Sequence, residues 1–344
     1  MLERLWVSVL NFKDLRLFRP SLKRILWGRV GGSIGVLGVI IGVAAYIVET
    51  LTRPKRLGAF ALFTFSPFEL GLPAEEVTFS PLHGEHQVNG WYIPSPEAAT
   101  TIIISPGYRG SRSDVLGLCA FLWRAGHNIL AFEYYGHGTV VGQPLTLGYR
   151  ELNDFLGALS YARQRSPHAR LGAVGYSMGA AVSIIGCARS PEVEALVADS
   201  AFATHRRVVE YAVRRAIHLP FILFEWVTDA ILWWRAGYHF HQVEPLREVG
   251  RIAPRPILII HGMRDSIVDP GDAPLLYRAA GEPKELWLLP DTDHCGAYFA
   301  DRAAYVDKVI SFFDLYLKKL PPIQPPLAEQ SAVETGRQPL PEAS

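Results

Sequence analysis

"RLGAVGYSMGAAVSII", residues 170–185, sets one serine between two glycines where an apolar run of strand length ends and a run with helical spacing begins. Gly175, Ser177 and Gly179 make the pattern G-x-S-x-G. Between a strand and a helix the pattern has a physical purpose: the chain turns sharply and neighbouring backbone comes close, which a residue without a Cβ permits. The serine hydroxyl is then left at a helix N-terminus, where free N–H groups and the helix dipole favour developing negative charge. A serine there is either turn filler or a nucleophile, and the rest of the chain decides between the two.

Outward from this unit, strand-length apolar runs alternate with segments of helical spacing. "EVTFSPL" and "QVNGWYIPS" flank a turn-like "HGEH" and read as a hairpin. After them come "TTIIISPG" (100–107), "HNILAFEYY" (127–135), the opening stretch itself, "ALVADSAF" (195–202), "PILIIHG" (256–262) and "KELWLLPD" (284–291). These later strands are apolar nearly throughout, the pattern of strands covered on both faces. Helical spacing occupies the gaps between them, and a last helix runs near Phe299 to Leu317. The alternation predicts an α/β fold with a mostly parallel eight-stranded sheet flanked by helices. In such sheets ligands bind at the carboxyl ends of the strands, so the informative residues should stand just after strands.

A serine nucleophile needs a base, and histidine is the side chain best poised near neutral pH. Of the eleven histidines, His294 in "LLPDTDHCGAY" directly follows the last predicted strand. His137 in "YYGHGT" and His261 in "IIHGMRD" compete, but a turn or strand-end position is explained by hydrogen bonding to backbone. The imidazole must be oriented by an acid. Asp265 lies just beyond the seventh strand and suits that role, with Asp269 four residues on as the runner-up. Asp291 and Asp293 are too near His294 in sequence to point at its ring and read as turn residues.

The order Ser177, Asp265, His294 is nucleophile, acid, histidine. From about residue 74 to 318 the chain resembles the α/β-hydrolase superfamily, particularly its membrane-anchored or secreted bacterial members with a short helical cap. The resemblance rests on "GYSMG", "HGMRDSIVD" and "DTDHCGAYFADRAAYVDKVISFF". It implies Ser177, Asp265 and His294 as catalytic residues, with oxyanion donors from the backbone N–H groups of Met178 and, in "SPGYRGSRSD", of Tyr108. Ser105-Pro106-Gly107 stands where many relatives carry His-Gly, so that loop matches only in part.

Between the sixth and seventh strands, residues Thr204 to Arg251 form an insertion that includes "LPFILFEWVTDAILWWRAGYHF". Glu225, Asp229 and Arg235 interrupt it, so it reads as a helical cap and not as a membrane span. Phe221, Phe224, Trp226, Trp233 and Trp234 either line the mouth of the site, where they would contact substrate, or pack as core; the sequence leaves both open.

The ends differ from this middle. Residues 30–51, "VGGSIGVLGVIIGVAAYIVETL", are uncharged until Glu49 and long enough for a helix to cross a bilayer core of about 30 Å. Lys13, Arg16, Arg19, Lys23, Arg24 and Arg29 precede the run and Arg53, Lys55 and Arg56 follow it. That bias predicts a single-pass anchor with a cytoplasmic N-terminus and an extracytoplasmic domain. Ala59-Phe60-Ala61 resembles a signal cleavage site but lies beyond those basic residues, which favours an uncleaved anchor. The chain thus divides into a basic segment (1–29), the anchor (30–51), a linker (52–69), the hydrolase-like domain (70–319) with its cap at about 204–251, and a Pro-rich tail (320–344) expected to be disordered.

Composition narrows the function. A net charge of +1 gives no basic field for nucleic acid. The three cysteines, Cys119, Cys187 and Cys295, show neither disulfide nor zinc-ligand spacing, so no metal site and no cofactor is expected. The leading expectation is a serine hydrolase acting on an ester or related acyl bond of a small-molecule or lipid-like substrate. A peptidase or amidase on small peptides uses the same residues, and a non-catalytic binding protein of the same fold is the rival of a different class.

Overall fold

The computed structural model describes residues 31–53, 65–138, 143–217 and 220–318. The basic N-terminal segment, most of the linker and the Pro-rich tail lie outside the described residues.

Eight strands, β1 (Glu75–Phe79), β2 (Val88–Ile93), β3 (Thr100–Ser105), β4 (Asn128–Phe132), β5 (Arg170–Tyr176), β6 (Val193–Asp199), β7 (Ile257–Gly262) and β8 (Lys284–Leu289), form one sheet in the order β1-β2-β4-β3-β5-β6-β7-β8. β2 runs antiparallel to β1 and β4; every other neighbouring pair is parallel. The hairpin and the parallel run are those predicted from the apolar alternation.

Helices cover both faces, which is why the central strands carry few polar residues. β3, β4 and β7 are buried at every position. Their side chains alternate between two cores: Ile103 and Leu130 pack with α3 (Glu151–Arg165) and α4 (Met178–Arg189), whereas Ile102, Ile104 and Ile129 pack with α2 (Leu116–Arg124) and α8 (Arg302–Phe313). β8 departs from the expectation of full coverage. Only Leu289 of that strand is buried, because β8 is the sheet edge and has one strand neighbour.

The insertion after β6 forms α5 (His205–Ile217) and α6 (Glu225–Ala236), a helical cap within the predicted bounds; α7 (Asp272–Ala279) follows β7.

The apolar run near the N-terminus forms α1 (Gly31–Thr52), and the transmembrane helix expected there is not found among the described residues. Among the described residues no helix is long and apolar enough to cross a membrane. The last turns of α1 are instead built into the domain: Val43, Ala44, Ile47, Val48 and Leu51 are buried, and the helix packs along α6. Arg235 of α6 fixes that end, its Nη2 2.6 Å from Glu49 Oε2 and its Nε donating to Thr52 Oγ1 at 3.1 Å. Apolar composition signals only that a helix buries an apolar face. Much of the face of α1 is buried against protein.

Candidate active site

β5 ends at Tyr176 and α4 begins at Met178, so Ser177 alone makes the turn. Its φ of 53° and ψ of −117° lie where a side chain is rarely tolerated, a conformation held by its N–H donating to Asp199 O at 2.8 Å. The flanking glycines are required by distance. A Cβ on Gly175 would stand 2.5 Å from Gly179 O and 2.6 Å from Ala180 N, and one on Gly179 would stand 2.4 Å from Pro106 O and 2.5 Å from Ser105 O. The second approach brings the first turn of α4 against the loop that leaves β3.

The three residues read from the sequence as nucleophile, acid and base meet in one hydrogen-bonded chain. Ser177 Oγ donates to His294 Nε2 at 2.8 Å, and His294 Nδ1 donates to Asp265 Oδ2 at 2.7 Å. Asp265 follows β7 and His294 follows β8, at the carboxyl end of the sheet where Ser177 follows β5. Asp265 is fixed by its other oxygen, Oδ1, which accepts from the N–H groups of Ile267 and Val268, both at 2.8 Å.

The charge pattern follows from burial and pairing. Burial alone would push the His294 imidazolium down, but the Asp265 carboxylate outweighs it and holds the pKa well above the ordinary 6.5. Burial would likewise raise Asp265; the charges and hydrogen bonds of His294 and His261 overcome it and hold the carboxyl far below the ordinary 3.8.

The alternatives weighed in the sequence separate by place. Asp269 Oδ1 caps its own turn, accepting from Gly271 N at 2.9 Å, and its Oδ2 pairs with Arg207 at 3.2 Å. Asp293 also serves a turn, with Oδ1 accepting from Ser266 N and His294 N, while Asp291 pairs with Arg264. His137 is buried beside the rings of Tyr108 and Tyr134. Cys295 is buried next to His294, and burial pushes its thiol pKa up, so it is no ready thiolate.

Residues 96–245 match the family described as serine aminopeptidase, S33. The uncharacterised protein YfhR of Salmonella typhi is 31% identical over 264 residues, a span of 71% of this chain and 82% of that protein. The chain is an α/β hydrolase. YqkD of Bacillus subtilis is 26% identical over 232 residues, covering 67% of this chain and 76% of that protein. The fold is similar to that of the Pyrococcus furiosus esterase Pf2001 (TM-score 0.64, 23% identity, 78% of this chain and 98% of that one). It is also similar to that of the Pyrococcus horikoshii acylaminoacyl peptidase (TM-score 0.57, 16% identity, 75% of this chain and 44% of that one).

Two supports of this hydrolase's site have no counterpart in the sequence reading. The strand-end position of His261 predicts backbone bonding, but its Nε2 lies 3.0 Å from Asp265 Oδ2, so the acid stands between two imidazoles. Behind the nucleophile, buried Asp199 ends β6. It accepts from Tyr305 Oη at 2.9 Å and from Ser200 Oγ at 3.0 Å, and Ser200 Oγ in turn accepts from Cys295 N at 3.1 Å, tying the strand end to the loop of His294. The signal available in the sequence is the Asp-Ser pair inside the apolar strand "ALVADSAF".

Met178 is the first residue of α4, so its N–H has no carbonyl one turn back within the helix. Tyr108 stands in the loop after β3, on which Gly179 packs. Its side chain is buried and its Oη donates to Leu51 O at 2.6 Å, while Arg109 Nη2 donates to Arg53 O at 2.8 Å. The end of α1 therefore braces the loop that carries Tyr108.

The cap aromatics divide. Phe221 and Phe224 are core side chains. Trp226, Trp233 and Trp234 are exposed on α6, and the groove that Trp226 and Trp234 line with Leu37 and Ile41 contains none of Ser177, Asp265 and His294.

Proposed function

We propose that this α/β hydrolase is a serine hydrolase that cleaves an ester or related acyl bond through an acyl-enzyme on Ser177. The reading rests on the hydrogen-bonded chain from Ser177 through His294 to Asp265. As Ser177 Oγ attacks the acyl carbon, His294 Nε2 takes the hydroxyl proton, and the negative charge that develops on the acyl oxygen is met by the N–H groups of Met178 and Tyr108. The intermediate collapses, the leaving alkoxide takes the proton from His294, and the acyl group stays on Oγ. Water then attacks with His294 again accepting a proton, which returns to Ser177 as the acid departs. Asp265 holds the tautomer with Nδ1–H and stabilises the imidazolium. Every proton and electron pair is accounted for without a metal or organic cofactor.

The substrate class in this reading is a small-molecule or lipid-like ester. Amide cleavage is the second reading, favoured by the match to the serine aminopeptidase description over residues 96–245. Turnover of p-nitrophenyl esters and aminoacyl p-nitroanilides, followed across pH, tests both. The expected result is ester turnover whose kcat/KM rises with pH, because an imidazolium cannot accept the hydroxyl proton, with a midpoint above 6.5. Asp265→Asn removes the charge that raises His294 and moves that limb to lower pH. Faster anilide than ester turnover would transfer the assignment to the amide reading. Absence of turnover on both substrate types would leave the binding protein as the reading.

A further inference from the structure

On the cap, Trp226 is 81% and Trp234 is 79% exposed, the most exposed of the three tryptophans of α6. They form a stripe one helical face wide and border a groove whose other walls are Leu37 and Ile41 of α1 and Val227, Ala230 and Ile231 of α6. Among the described residues no charged side chain lines it. The charges on α6 are engaged elsewhere: Glu225 with Arg206, Asp229 with His239 and Arg235 with Glu49. Ile222 and Leu223, just before α6, extend the exposed apolar surface. A face of this kind on a domain whose other apolar side chains are largely buried marks an interaction site.

We propose that the α1–α6 face is a docking surface for a phospholipid bilayer. Three observations favour lipid over a second protein surface. Tryptophan, with an apolar ring and a polar N–H, is the side chain that settles at the boundary between acyl chains and headgroups. α1 continues from the groove with no charged residue between Gly31 and Val48. The seventeen residues from Lys13 to Arg29 that precede it carry six basic side chains against the single acid Asp14, a complement to anionic headgroups. The surface lies apart from Ser177, so docking is independent of the catalytic reading, and its test uses no enzymatic readout.

The full chain carrying Trp6→Phe and Trp27→Phe, which removes the N-terminal tryptophans, is reconstituted with phosphatidylcholine–phosphatidylglycerol vesicles whose acyl chains are brominated near the headgroup. The expected result is strong quenching of tryptophan emission relative to unbrominated vesicles, at least halved when Trp226→Phe and Trp234→Phe are added. Phenylalanine keeps the apolar face, so the lost signal reports position and not a failure to fold, and near-UV circular dichroism checks the fold. Quenching that is absent, or that persists unchanged in the added double variant, overturns the proposal. Disulfide-linked dimers forming rapidly in lipid-free Trp234→Cys protein and suppressed by Trp226→Glu also overturn it, assigning the face to a second copy of the chain.

Discussion

Ser177→Ala lowers ester kcat/KM by roughly 10⁴-fold or more, His294→Ala lowers it about as far, and the double variant is scarcely worse than either. The non-additivity follows from the geometry. In the proposed mechanism the hydroxyl is a nucleophile only while His294 Nε2, 2.8 Å away, can receive its proton, and the imidazole has nothing to do once the hydroxyl is gone. Residual turnover in all three proteins is expected to come from the proposed oxyanion contacts and from binding, which these changes leave in place. Ser177→Ala removes a single hydroxyl, so its melting temperature should move little, whereas His294→Ala also takes an imidazole from the buried Asp265 carboxylate and should lower the melting temperature. Steady-state kinetics on one activated ester, with melting temperatures measured alongside, checks it. Purely additive losses would mean that the two residues act separately.

Asp265→Asn carries the second large effect, a loss of about 10⁴-fold in kcat, whereas Asp269→Asn changes it by no more than a few fold. The amide at 265 presents a donor where His294 Nδ1–H needs an acceptor, so the ring is held in the wrong tautomer. Asp269 caps a turn and pairs with Arg207 without touching either histidine. His261 adds a distinguishing detail, since its Nε2 also faces Asp265 Oδ2 at 3.0 Å. If Asp269→Asn proved the costly change, the acid would be misassigned.

What the sequence disclosed about this site was what local physics controls. Strand ends, the glycine-flanked turn and the order of the three post-strand residues are written in short-range pattern, and the structure brings Ser177, Asp265 and His294 within hydrogen-bonding distance in that order. Contacts made between distant segments by backbone atoms leave no such trace. The carbonyl of Leu51 that accepts from Tyr108 has no side-chain signature, so the brace from α1 to the loop after β3 was illegible. The apolar run of α1 was legible as apolar, but apolar composition does not distinguish lipid from protein as the covering partner. The buried Val43, Ile47 and Val48 belong to protein, and the exposed Leu37 and Ile41 remain available. The cap aromatics show the same limit: helical spacing puts Trp226, Ala230 and Trp234 on one side of α6 but does not say what that side faces.

The central claim is that Ser177 is a nucleophile activated by its place in the fold, and the most direct measurement is covalent. The protein is treated with a fluorophosphonate at neutral pH, digested, and the phosphonyl adduct located by mass spectrometry. The account predicts one adduct, on Ser177 of the peptide containing "GYSMG", absent from Ser177→Ala and greatly slowed in His294→Ala. An unlabelled folded protein, or an adduct on any other side chain, would contradict it.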